Sequence, residues 1–76
     1  MNNKRRELLK GAVGLLEKAS GIVSMALDEE QDCLDNMPEN LSDSERYQKM
    51  EAAIDLLDDV VGQIDNVQEC ILEACG

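Results

Sequence analysis

Nine residues spaced alternately by three and four run through the second half of the chain: Tyr47, Met50, Ile54, Leu57, Val61, Ile64, Gln68, Ile71 and Cys75. A seam of that period sustained over four heptads specifies a long amphipathic helix that lies against another helix. Ala53, Val60, Val67 and Ala74 widen the seam on one side, and Leu56 and Cys70 extend it further. The opposite face carries Glu51, Asp55, Asp58, Asp59, Asp65, Glu69 and Glu73. Gln68 is the single polar seam residue at an interior position, the kind of residue that fixes register.

The first half repeats the theme with different residues. Leu8, Leu15 and Ile22 form one row, Ala12, Ala19 and Ala26 a second, and Leu9, Leu16 and Val23 a third. Gly11, Gly14 and Gly21 lie on a shoulder of this band. A band of small and apolar residues covering roughly 200° of the wheel is twice what one core contact needs. The first helix therefore expects more than one helical neighbour. Each helical glycine costs about 1 kcal/mol relative to alanine, which close packing against another helix would offset.

Between the two patterns, Met37-Pro38 ends the first helix, because a residue before proline avoids the α region and proline lacks a donor. Ser42-Asp43-Ser44-Glu45 reads as a capping box with Ser42 at the N-cap and Glu45 three residues on. The predicted fold is all-α: one domain over residues 1–76, an antiparallel hairpin of helices at about 4–35 and 43–74, resembling a coiled coil. Folding it back pairs residues whose numbers sum to about 80, such as Leu34 with Tyr47, Ala26 with Ile54, Ala19 with Val61, Ala12 with Gln68 and Leu8 with Leu72.

Such a hairpin has little to build a core from. Tyr47 is the only aromatic residue. Two helices touching along one seam bury too little to offset the ordering of 76 residues, so a partner chain is required. The expectation is a homo-oligomeric helical bundle, most simply a four-helix dimer. Its interface is predicted at Leu8, Gly11, Ala12, Gly14, Leu15, Ala19, Gly21, Ile22 and Ala26. A disulfide cannot substitute. Cys33 lies near the turn, Cys70 and Cys75 at the open end, too far for an intrachain bridge. The odd cysteine count and the lack of a secretory signal point to three free thiols, buried or half-buried, in a reducing cytoplasm.

The composition also excludes functions. There is no histidine, and the only hydroxyls are Ser20, Ser24, Ser42, Ser44 and Tyr47. None has a base placed beside it, so no enzyme is predicted, and no metal or cofactor. No apolar run is long enough to span a membrane. Residues 1–20 hold five basic and two acidic side chains, net +3; the remainder holds two basic and fifteen acidic, net −13, making −10 in all. That balance opposes general binding to nucleic acid.

Two surfaces remain as binding candidates. The acidic face of the second helix is either a solvated, solubilising surface or one that imitates nucleic acid or receives a basic partner. The basic start, with Arg5, Arg6 and Lys10, suits either ion pairing with Glu69 and Glu73 or an anionic nucleotide held between chains, with Tyr47 as a stacking candidate.

The turn Asp35-Asn36-Met37-Pro38-Glu39-Asn40-Leu41, followed by Ser44-Glu45-Arg46, resembles that of a group of small helical proteins encoded in phages and prophages of Firmicutes. The layout is similar too: a basic start, a long helix, this turn, then an acidic heptad helix. The glycine- and alanine-rich first helix departs from the group's commoner pattern. The resemblance implies a phage or prophage accessory protein in the host cytoplasm, with a role against host defences. Its action would be to bind a host protein or, alternatively, to sequester a nucleotide signal.

Overall fold

The computed structural model describes residues 1–41 and 44–76, and its described residues are all helix and turn. Helix α1 spans Asn3–Asp35, a single 3-10 turn follows at Glu39–Leu41, and helix α2 spans Glu45–Cys75. The two helices pack against each other as an antiparallel hairpin 59 × 15 × 13 Å in extent.

Local chemistry sets the helix ends. Asn2 is the N-cap of α1, its side-chain oxygen accepting from the Arg5 N–H at 2.9 Å. This satisfies one of the four amide donors that a helix start leaves unpaired. Helix α1 ends at Asp35, as the Met37-Pro38 signal predicts. Asn36 closes it, its side-chain nitrogen donating to the Asp32 carbonyl at 2.9 Å, and the Met37 N–H donates to the Leu34 carbonyl at 3.1 Å.

The start of α2 differs from expectation. Ser44 is its N-cap, with Oγ accepting from the Tyr47 N–H at 3.1 Å. Glu45 therefore opens the helix rather than standing at its third position, where the favourable interaction of a carboxylate with the helix dipole is retained. The predicted N-cap, Ser42, and the predicted first helical residue, Asp43, lie outside the described residues.

All nine predicted seam residues of α2 are at least half withdrawn from solvent, and Met50, 8% exposed, is the one buried residue described. The facing row of α1 is Leu9, Val13, Leu16, Ser20, Val23, Leu27 and Leu34, all half-buried. The predicted level is close. Gln68 Nε2 donates to the Val13 carbonyl at 3.4 Å and Arg6 Nε to the Cys75 carbonyl at 3.0 Å, pairs whose numbers sum to 81. The predicted face is not. Leu8, Ala26 and Leu72, which the level-by-level pairing placed inside, are exposed. The row from Val13 carries large apolar residues through Leu27 and Leu34 to the turn, whereas those from Leu8 and Leu9 each meet an acid, Glu29 or Glu30, after three members. The row from Leu9 lies about 40° from the Val13 row on the wheel and goes inside with it, while the row from Leu8 lies about 140° away.

The hairpin leaves its chain extended. Its radius of gyration is 17.4 Å, against about 11 Å for a compact domain of this length.

Candidate interaction surface

Heptad letters make the surface legible. In α2 the seam places Tyr47, Ile54, Val61, Gln68 and Cys75 at a, and Met50, Leu57, Ile64 and Ile71 at d. In α1, Val13, Ser20, Leu27 and Leu34 are at a, and Leu9, Leu16 and Val23 at d. Each helix then carries a second apolar row pair at g and c, which lie 40° apart on the wheel. In α1 these are Ala12, Ala19 and Ala26 at g, with Leu8, Leu15 and Ile22 at c. In α2 they are Ala53, Val60, Val67 and Ala74 at g, with Leu56 and Cys70 at c.

The second rows share one side of the hairpin. Position g is reached from the seam by the same sense of rotation in both helices. Because the helices run in opposite directions, that rotation carries both g rows to the same side. The turn end displays this directly, since Cys33 and Arg46, both at g, line one groove of about 420 Å³ together with Met37 and Met50. The side is open to solvent: Leu8 is 68% exposed, Leu15 70%, Ile22 67% and Leu56 65%. The expected interface residues thus divide. Leu8, Leu15, Ile22 and Ala26 are exposed, while Ala12 and Ala19 are half-buried at the edge of the seam. Gly11, Gly14 and Gly21 have nothing within 4 Å of where a Cβ would stand, so no close packing onto them occurs within one chain.

The other side is charged. The seven acidic residues expected on α2 are all exposed. None of them takes part in an ion pair among the described residues, where the pairs formed are Lys10 with Glu7 at 3.5 Å and Lys49 with Glu45 at 3.2 Å. The ion pairing considered between the basic start and Glu69 or Glu73 is therefore not formed there.

The basic group has a different occupation. Arg6 lies at an a position, where its guanidinium donates to the last carbonyl of α2 at Cys75 and, through Nη1, to Asn3 Oδ1 at 3.2 Å. A helix end leaves carbonyls without intrahelical donors, and a cation there also complements the negative end of the dipole. Tyr47 is half-buried in the seam at the turn end, level with Leu34. It lies about 35 Å along the hairpin from Lys10, counting 1.5 Å per helical residue. One chain therefore does not bring Arg5, Arg6, Lys10 and Tyr47 together.

The thiols are free, Cys33 and Cys70 exposed and Cys75 half-buried, so two of the three are more open than expected. Among the described residues no three His, Cys, Asp or Glu side chains converge as a metal site would require, and no helix is long and apolar enough to cross a membrane.

In the sequence, the apolar positions 53, 56, 60, 67, 70 and 74 read only as a widening of the seam. The signal of a second surface was present in their three-four spacing. It became visible once the antiparallel sense set both helices' second rows on one side. No protein-family model matches the chain, and no curated protein or solved structure is significantly similar to it.

Proposed function

We propose that this chain is a non-enzymatic helical binding protein that works as a homo-oligomer and acts by holding a host protein. Its setting, on the resemblance of its turn, is that of a phage or prophage accessory protein directed at host defences. The observation that carries the reading is the division of the hairpin into an open apolar side and an opposite side of exposed carboxylates. An apolar side of this extent suits self-association. Carboxylates without ion-pair partners remain available to a basic protein surface, where they favour rapid, salt-dependent association. The lack of histidine, and the use of Ser44 as a helix cap, support a binding role over a catalytic one.

The test is a comparison of baits. Tagged wild-type protein and the variant Asp58→Lys, Asp59→Lys, Asp65→Lys are each used to capture proteins from bacterial lysate, at low and at high salt. The expected result is a basic protein retained by the wild type at low salt, released by high salt and absent from the variant, with both baits sedimenting as the same oligomer. Identical captures by the two baits would refute the acidic-surface reading. A folded wild-type monomer would refute the oligomeric one.

A further inference from the structure

We propose that the apolar side formed by the g and c rows is covered by a second copy of this chain, running antiparallel, so that the functional unit is a four-helix dimer. This deepens the oligomeric reading above by naming the occupant, the face and the orientation.

Area points to a second copy. A folded monomer of 8.4 kDa exposes about 4,600 Å², whereas this hairpin exposes 5790 Å². The excess of about 1,200 Å² per chain is more than the roughly 800 Å² that each partner contributes to a standard stable interface. A single copy docked on one side is enough to remove it.

The side also complements itself. Alanines at g in α1 form a shallow channel beside the projecting Leu8, Leu15 and Ile22. A two-fold axis near Ala19, midway along the channel, sets Leu15 of each copy level with Ile22 of the other. Small residues at the crossing let the helices approach, and the larger rows at c interdigitate beside them. No charged residue interrupts the c and g rows from Leu8 to Ala26 in α1 or from Ala53 to Ala74 in α2.

Charge selects the orientation. Helix α1 has no acidic residue in its first turn and no basic residue in its last, the reverse of what its own dipole favours. Its start holds Lys4, Arg5 and Lys10; its end holds Asp28, Glu29, Asp32 and Asp35. Packing inside the hairpin uses Arg6 alone from the basic group, at the Cys75 carbonyl. An antiparallel dimer sets Lys4 and Arg5 of each copy beside the acidic turn end of the other, whereas a parallel dimer would stack like charge on like at both ends.

The experiment combines sedimentation with a distance measurement. In a Cys33→Ser, Cys75→Ser background, a spin label on Cys70, which is exposed at c near the open end, reports the orientation. The antiparallel dimer separates the two labels by roughly 22 Å along the bundle, from about 15 residues of helix at 1.5 Å each. A parallel dimer brings them side by side. The variant Leu15→Lys, Ile22→Lys should sediment as a monomer where the wild type is a dimer, and Gln48→Lys, on the far side, should remain dimeric. Because the monomeric variant could unfold, the label distance in the otherwise intact dimer stands as an independent test. A dimer with adjacent labels, or one that survives the double lysine change, overturns this proposal and leaves the oligomeric binding protein in place. A folded, helical wild-type monomer overturns both.

Discussion

Gly14 and Gly21 lie at b positions, on the outer surface of α1, about 120° around the wheel from the middle of the g and c rows. A Cβ added at either meets nothing within 4 Å, and both residues are exposed within an uninterrupted helix. The double substitution Gly14→Ala, Gly21→Ala should therefore recover helix propensity without steric cost. Each exchange is worth roughly 0.8–1.0 kcal/mol in a helix interior, so the pair contributes about 2 kcal/mol per chain. For a domain of this size 1 kcal/mol moves the melting midpoint by about 4–8 °C, which gives a rise of roughly 8–16 °C. Circular dichroism melts at a single protein concentration measure it, with sedimentation to check that the oligomer is unchanged. A lower midpoint, or dissociation of the oligomer, would refute the reasoning. It would mean that a second helix crosses these glycines closely and that the dimer uses the shoulder of α1 rather than its g and c rows.

Three further outcomes follow from the same geometry. Ser44→Ala removes the acceptor for the Tyr47 amide and should cost about 1 kcal/mol of stability, whereas Ser44→Asp should be nearly neutral; urea denaturation distinguishes the two. Arg6→Ala removes the donor to the Cys75 carbonyl; it should loosen the last turn of α2 by roughly 1 kcal/mol, read as severalfold faster amide exchange there with the middle of the helix unchanged. Titration with a panel of cyclic and phosphorylated nucleotides should give no heat, since Arg6 is engaged at the Cys75 carbonyl and Tyr47 is half-buried in the seam; micromolar binding lost in Arg5→Glu, Arg6→Glu would reinstate the nucleotide reading.

The hairpin was legible because its signals agree. The heptad period of α2 identifies its inner face without ambiguity, and Pro38 with the level pairing sets the antiparallel fold. The inner face of α1 was not legible, because Leu8, Ala12, Leu9 and Val13 begin adjacent rows that are all small or apolar, and periodicity cannot rank them. What decides is that the row from Val13 carries large side chains through Leu27 and Leu34 to the turn, and the neighbouring Leu9 row goes inside with it. The N-cap of α2 is ambiguous in the sequence for a related reason: Ser42 and Ser44 are each followed by an acidic residue, so both read as caps. Function is least legible, since an apolar or acidic helix face is made of the same residues whether or not it meets a partner.

The buried Met50 lies three residues past Tyr47, at the turn end of the hairpin, and this has a kinetic consequence. Positions level with each other there are close in sequence, such as Leu34 and Tyr47, while the bonded Val13 and Gln68 are 55 residues apart and Arg6 and Cys75 are 69 apart. Each doubling of the loop that must close costs about 0.6 kcal/mol of chain entropy. The cheapest first event is therefore to close the turn around Leu34, Tyr47 and Met50, after which the two helices zip toward their open end one layer at a time. Substitutions near Met50 should slow folding, and those near Leu9 and Ile71 should speed unfolding instead. The apolar g and c rows would then take shape progressively from the turn outward. In an antiparallel dimer each copy presents its earliest-formed end to the other's latest, so that docking completes the part of the hairpin that is slowest to close.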